Sequence, residues 1–380
     1  MKKIALIYLG RKGAGAVYAY EMAKGFIANG AELYIFISKN IDNYSKWLEL
    51  KAKNIESIKT YNNKLNFITN TFAFRLFKSR KLKKKYSCLR VDACYLPMAF
   101  EHPWDRYFVR FLGNPQQIAT IHDPIAHTSN NIDLLLMNFA KAILNIGVRY
   151  KKPDDIIVLS SCFIEVVSKK YKIKKEHVHM IPTGVFDYYN VNTNNLKHSY
   201  PKDKTNFLFF GRIDKYKGLD VLAKAFRIVL NNNKNCTLTI VGSGDFAPYQ
   251  VLYKDLENVN IINRWIEDDE VKSYFDSNSN IILVLPYLDA TQSGVLPIAM
   301  FNHIPVIVSD AGGLTEQVND QITGFVSRAN DVESLYKTML FVSSRNNDDI
   351  VENAYAYISN LSWDALSKKV LDIVATKKDL

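Results

Sequence analysis

Along most of the chain, short apolar runs alternate with longer stretches in which apolar residues recur every three or four positions. In the first half the runs are Ile4 to Leu9, Leu33 to Ile37, Gln117 to Ile121, Ile156 to Leu159 and Val178 to Ile181. In the second they are Phe207 to Phe210, Leu238 to Val241, Val259 to Ile262, Ile281 to Leu285 and Pro305 to Val308. A run without polar alternation suits a strand covered on both faces. Helical spacing between such runs predicts parallel sheets joined by right-handed crossovers. The pattern is that of an α/β protein.

The connecting segments carry matching signals. Gly10 to Gly15 (GRKGAG) reads as a glycine-rich turn. A helix then runs to about Asn29, with Ala16, Tyr20, Ala23 and Ile27 on one face and Gly30 set to end it. Ser160 or Ser161 stands where a helix cap is needed. From Asp187 to Thr205 the chain is polar, rich in Asn and aperiodic, as a domain linker is. A last helix, Trp363 to Val374, follows Ser362 as its cap and aligns Trp363, Leu366, Val370 and Val374. A chain of 380 residues predicts two domains. They are expected over residues 1–187 and 188–362, with the terminal helix, 363–380, packing back on the first.

The opening strand–turn–helix–strand unit lacks two parts of a dinucleotide site. Its turn is not GxGxxG, and Ser38-Lys39-Asn40 rather than an acid for the ribose follow the second strand. A nicotinamide-dependent dehydrogenase is thereby set aside.

Composition adds a partner class. Apolar content of 48% and charged content of 23% fit a soluble globular protein. No run approaches the roughly 20 apolar residues of a membrane-spanning helix. The start, MKKIALIYLG, is too short for a signal peptide and lacks a small-residue cleavage site, so it reads as the first strand. Cys88, Cys94, Cys162 and Cys236 lie scattered, without zinc-ligand spacing, and fit a reduced cytoplasmic protein with buried thiols. Net charge is +11, which favours an anionic partner. Residues 57–91 hold ten Lys or Arg and no Asp or Glu. Phe72, Phe74, Leu76 and Phe77 lead there into Lys81, Lys83, Lys84 and Lys85. The segment 72–90 is expected to meet an anionic membrane surface, with a solvated basic helix as the other reading.

The most informative stretch is Asn206 to Leu222, NFLFFGRIDKYKGLDVL. A buried strand ends at Gly211, two cations follow (Arg212 and Lys217), and Gly218 opens a helix bearing Leu219, Leu222, Ala223, Phe226 and Leu230 at helical spacing. Open α/β sheets bind ligands outside the carboxyl ends of their strands. Two cations at that edge suit a phosphate or diphosphate, Arg as a planar fork and Lys as a compact charge.

Four blocks occur in order: GRIDKYKG (211–218), VGSG (241–244), LPYLDATQSGVLPIAM (285–300) and PVIVSDAGGLTEQV (305–318). In sequence and spacing they resemble the retaining GT-B glycosyltransferases of glycosyltransferase family 4, in a variant branch marked by ATQSG. The resemblance implies two Rossmann-like domains facing across a cleft, the first for the acceptor and the second for a nucleotide-sugar. It assigns Arg212 and Lys217 to the donor diphosphate, with Gly211, Gly242 and Gly244 in the glycine turns beside them. Amides of Thr291, Gln292, Ser293, Gly294 and Val295 would hold the distal phosphate, helped by the helix N-terminus. Gly13 and Gly15 would approach the phosphates from the first domain, and Asn263 to Ile266, with Trp265 and Ile266, would line the base pocket. His122 matches a histidine that faces the donor sugar, with Asp123 to orient it or accept from a hydroxyl. His127 is a lesser candidate, and His303 reads as structural. The family carries two glutamates around the distal-phosphate loop, for the sugar and the ribose. Their positions here are Ala290 and Ile298, so Asp289 is left to serve the sugar.

The implied activity is transfer of a hexose-type sugar, with retention, from a UDP- or GDP-sugar to an acceptor hydroxyl. The acceptor is expected to be a saccharide or lipid-linked glycan of bacterial-type surface polysaccharide synthesis. The enzyme is expected in the cytoplasm, peripheral on the inner face of the membrane. No DxD triplet occurs, so no metal or other cofactor is expected, and the cations would take a metal's place. A GT-B-like sugar-nucleotide epimerase would share the fold and donor site. A basic nucleic-acid-binding protein would share the charge, but no RNA-binding or helix-turn-helix signature is present, and no nucleic-acid partner is expected.

Overall fold

The computed structural model of the chain describes residues 1–11, 13–42, 44–60, 69–70, 73–74, 79–98, 104–124, 152–186 and 198–375. The chain divides into two units, Met1–Pro182 with Trp363–Leu380, and Thr183–Ser362. Each is a Rossmann-like α/β domain on an all-parallel sheet.

The first sheet has seven strands: β1 (Lys3–Tyr8), β2 (Glu32–Ser38), β3 (Asn54–Ile58), β4 (Ala93–Leu96), β5 (Gln116–Ile121), β6 (Asp155–Val158) and β7 (Val178–Met180). Their order is β3-β2-β1-β4-β5-β6-β7. Chain order reverses between β1 and β4, and connections leaving their carboxyl ends part there to form a crevice. Helix α1 (Ala14–Ala28) leaves the turn after β1, and Asn29 and left-handed Gly30 end it. Helix α2 (Ser79–Tyr86) precedes β4.

The second sheet has six strands: β8 (Thr205–Phe210), β9 (Cys236–Gly242), β10 (Val259–Asn263), β11 (Ile281–Leu285), β12 (Val306–Ser309) and β13 (Phe325–Ser327). Their order, β10-β9-β8-β11-β12-β13, puts a second reversal between β8 and β11. Helix α3 (Leu219–Asn232) buries Leu219, Leu222, Ala223, Phe226 and Leu230, the stripe that the spacing predicts. Helix α4 (Val295–Phe301) follows β11. Residues past Pro182 are tied into this unit: the Val185 N–H donates to the Leu361 carbonyl (3.2 Å) and the Thr183 hydroxyl to Gln292 Oε1 (3.0 Å). Helix α5 (Trp363–Ala375) belongs to the first unit. There Asn29 Nδ2 donates to the Asp364 carbonyl (2.8 Å) and Lys2 Nζ to the Leu371 carbonyl (2.7 Å).

The structure corrects the sequence reading of the basic segment. Phe74 is buried and stacks on Trp104, centroids 4.2 Å apart and planes 9° from parallel, in a core with Phe36 and Phe108. It is thus a core residue and not a surface for lipid; Phe72, Leu76 and Phe77 lie outside the described residues. Helix α2 turns Leu82 and Tyr86 inward, one helical turn apart, and leaves Lys81, Lys83, Lys84 and Lys85 exposed. Lys85 pairs with Glu56. Among the described residues, no helix is long and apolar enough to cross a membrane. None of the four cysteines is in a disulfide; Cys94 and Cys236 are buried, whereas Cys88 and Cys162 are exposed, so the expectation of buried thiols holds for two of them.

Candidate functional site

The crevice of the second unit is built where β8 and β11 end. The Gly211 N–H donates to the Val241 carbonyl and the Ile213 N–H to the Ser243 carbonyl, both at 2.9 Å. The connection leaving β8 therefore lies along the VGSG turn after β9. A Cβ on Gly242 would stand 1.7 Å from the Gly211 carbonyl oxygen, and one on Gly244 2.0 Å from that of Ile213. This main-chain contact accounts for both glycines. Asn263, at the end of β10, closes on the same turn, its side chain bonding Gly244 N and O, each at 3.2 Å. Beyond it Trp265 is exposed and Ile266 buried, so a base contact here would use the indole and the main chain.

After Gly211 the exposed Arg212 is followed by a short helical turn, Lys215–Lys217, capped by Asp214, whose carboxylate accepts the Lys215 N–H (2.7 Å). Gly218 then takes the left-handed conformation (φ 68°) and leads into α3. The turn drives Lys217 inward, to 9% exposure. Its Nζ sits 3.5 Å from the ring centroid of Tyr287 and 4.7 Å from that of Tyr216. Tyr287 is fully buried, and burial pushes its phenol up to about 12.

The loop before α4 is organised from within. Ser293 N–H donates to Gln317 Oε1 (2.7 Å), and Gln317 Nε2 donates back to the Ser293 carbonyl (3.2 Å). The Val295 N–H reaches the Ser293 hydroxyl (3.3 Å), which lies 3.4 Å from the Tyr287 hydroxyl. Two of the amides expected to face a phosphate, those of Ser293 and Val295, thus have acceptors inside the unit, and Gly294 lies between them. Gln292 is held by Thr183, and Thr291 is buried. Asp289 is exposed. Ala290 and Ile298 are both buried and apolar, so neither position presents a carboxylate.

The crevice brings together Gly211, Arg212, Lys217 and the loop to Val295. A Cβ on Gly211 would lie 3.9 Å from both Tyr287 Oη and Val295 Cγ2. Tyr287, Tyr216 and Gln317 complete this constellation and were not singled out from the sequence. An apolar strand followed by Pro286-Tyr287 gives no periodic signal that the ring lies beneath a lysine.

In the first unit, the turn after β1 is also filled from within. Gly13 (φ 83°) donates its N–H to Asp42 Oδ2 (3.2 Å), and the Asp42 N–H donates to the Arg11 carbonyl (2.7 Å). The acid missing at the end of β2 stands four residues later and reaches the turn by its loop. Gly15 packs on the Tyr8 hydroxyl, 3.0 Å from where its Cβ would be. His122, just past β5, is half-buried, and its Nε2 lies 3.0 Å from the Pro97 carbonyl. A carbonyl only accepts, so Nε2 holds the proton and Nδ1 keeps its lone pair. Burial lowers the His122 pKa, against smaller opposing effects of the Pro97 carbonyl and Asp123. The ring meets Tyr18 edge-on at 4.6 Å; Tyr18, Tyr95 and Thr120 share hydroxyl contacts of 2.9 to 3.5 Å behind it. Asp123 is exposed, and His127 lies outside the described residues. His303 stacks on Tyr355 (4.3 Å) and pairs with Glu352 (3.1 Å).

Residues 15–186 match the family model described as Glycosyltransferase Family 4, and residues 204–344 the model described as Glycosyl transferases group 1. An uncharacterized glycosyltransferase of Methanocaldococcus jannaschii is 23% identical over 95% of this chain and 94% of its own length. The capsular polysaccharide biosynthesis glycosyltransferase CapM of Staphylococcus aureus is 24% identical over 48% of this chain and 50% of its own. The crystal structure of Anabaena HepE in complex with UDP-glucose shares the fold, with a TM-score of 0.67 at 15% identity, covering 99% of this chain and 100% of that one.

Proposed function

The chain belongs to the GT-B glycosyltransferases, and from that premise we propose that it moves a sugar, with retention, from a UDP- or GDP-sugar to a glycan acceptor hydroxyl. The observation that carries this reading is the buried Lys217 beside Arg212 at the point where chain order reverses in the second sheet. Negative charge grows on the departing diphosphate as the glycosidic bond breaks. Preorganised cations at that place stabilise the transition state more than the bound donor. Without a DxD triplet, Arg212 and Lys217 do this in the reading proposed here, with no metal assigned. Asp289 is assigned to the sugar hydroxyls, and so are His122 and Asp123 of the first unit. Retention is assigned to front-face attack, since no carboxylate is offered as a nucleophile.

The acceptor is proposed to be lipid-linked, at the cytoplasmic face of a membrane. The likeness to CapM, named for capsular polysaccharide biosynthesis, supports a surface-glycan substrate. The exposed lysines of α2 support an anionic surface beside it. The test is a panel of sugar nucleotides scored for protection against thermal unfolding, followed by transfer to a lipid-linked acceptor. One UDP- or GDP-sugar should protect the wild type, and Lys217→Ala should lose most of that protection. Protection by no member of the panel would overturn the donor assignment. Release of free epimerised sugar nucleotide without acceptor would replace the transferase by an epimerase.

A further inference from the structure

Lys217 is held by something other than its own loop. Its ammonium lies over the face of Tyr287, 3.5 Å from the ring centroid, with Tyr216 as a second wall at 4.7 Å. The face of an aromatic ring is the negative part of its quadrupole and attracts a cation placed over it. Tyr287 has no exposed surface, so the ring lies beneath the ammonium and does not itself face a ligand.

Tyr287 is held through its main chain, and its hydroxyl has a neighbour as well. Its carbonyl accepts from the Ser309 hydroxyl (2.5 Å), and the next residue, Leu288, donates its N–H to the Tyr216 carbonyl (2.7 Å). That second bond ties the connection after β11 to the turn that carries Lys217. Gly218 presses the same two segments together, since a Cβ there would stand 1.9 Å from the Pro286 carbonyl oxygen. At the other end of the ring, the hydroxyl lies 3.4 Å from Ser293 Oγ, and Ser293 Oγ accepts from Val295, the first residue of α4.

We infer that Tyr287 is a positioning residue for the diphosphate grip: its ring seats the Lys217 ammonium. The inference rests on the donor-site reading above and adds to it how the cation is held before the ligand arrives. A lysine side chain has several rotatable bonds and no fixed geometry of its own. A buried ring under Nζ removes most of that freedom before the ligand arrives, which is where preorganisation acts.

The test keeps the shape of the ring and changes only its face. Tyr287→Phe and the same position carrying trifluorophenylalanine are made in the wild-type chain and in Lys217→Ala. Affinities for UDP and UMP, or for GDP and GMP if the guanine diphosphate is the one that binds, are measured by calorimetry. Tyr287→Phe retains the seat and should bind the diphosphate like wild type. Fluorination withdraws charge from the ring face and should weaken the diphosphate about tenfold while leaving the monophosphate unchanged. In Lys217→Ala the fluorinated and plain rings should bind alike. Equal diphosphate affinity with either ring, an equal loss for the monophosphate, or a loss that persists in Lys217→Ala would overturn the inference. These outcomes separate it from the reading beneath it. If Lys217→Ala binds the diphosphate as tightly as wild type, the donor-site reading fails. If that variant weakens while fluorination has no effect, only the role of Tyr287 fails.

Discussion

Replacing Gly218 with Ala probes how closely the connections after β8 and β11 approach. A Cβ at Gly218 would stand 1.9 Å from the Pro286 carbonyl oxygen, when real Cβ atoms essentially never come within 3.0 Å of such an atom. The two connections must therefore separate by about 1 Å, and backbone rather than a flexible side chain has to give. The left-handed conformation itself, φ 68°, costs an alanine roughly 1–2 kcal/mol. Separation also strains the Leu288–Tyr216 and Ser309–Tyr287 hydrogen bonds, each contributing about 1 kcal/mol. The sum is about 3 kcal/mol. In a unit of this size that lowers the melting temperature by roughly 6–12 °C, at about 2–4 °C per kcal/mol. Gly30→Ala is the control: its φ of 74° is similar, but nothing lies within 4 Å of the added methyl. It should show the backbone cost alone, about a third to a half of the loss. Calorimetry resolves the transitions, and diphosphate affinity is measured alongside, since the same movement lifts Lys217 from Tyr287. If Gly218→Ala melts and binds like wild type, the close approach does not explain the glycine.

Arg212→Ala and Lys217→Ala should each lower turnover by roughly two orders of magnitude at unchanged fold, one preorganised group contributing about 3 kcal/mol to the transition state; steady-state rates at saturating donor decide it. His122 is held neutral by burial, so its folded pKa lies below its unfolded value of about 6.5. Stability is thus fully present above that value and declines as pH falls towards the folded pKa, and His122→Asn should flatten that decline in melts taken across the range. Changing Lys81, Lys83 and Lys84 to Ser should release the protein from anionic vesicles, at about 1 kcal/mol per lysine. Adding Lys85→Ser should change little, because Lys85 pairs with Glu56; undiminished sedimentation of the triple variant would remove the membrane proposal.

The reach of the sequence follows from how local each signal is. Both sheets were legible because their central strands are covered on two faces and read as unbroken apolar runs. β3 escaped, since NIESI at the sheet edge is only half-buried and breaks the run with Glu56. β4 (Ala93–Leu96) and β13 (Phe325–Ser327) were missed as well. Arg212 and Lys217 were legible from a strand, a glycine and two charges in sequence. Tyr287 and Gln317 were not, because their roles arise from contacts with Lys217 and Ser293, far away in the chain. Phe74 was misread for the same reason: next to a lysine run it looks interfacial, yet Trp104 covers it.

The two glycine turns show how one topology can be put to different use. Each follows the strand at which chain order reverses, the place where such sheets take anionic ligands. After β8 the turn is flanked by Arg212 and Lys217, and Gly242 and Gly244 of the neighbouring β9 turn let it pack closely main chain to main chain. After β1 the turn offers the Gly13 N–H, but Asp42 already accepts it. An anion brought to that amide would meet a carboxylate rather than a vacant donor, and like charges at short range repel. The first turn is therefore closed by the chain's own acid, while the second is left with cations and a seated lysine. A diphosphate, as proposed above, would therefore rest on Arg212 and Lys217 rather than on the Gly13 N–H.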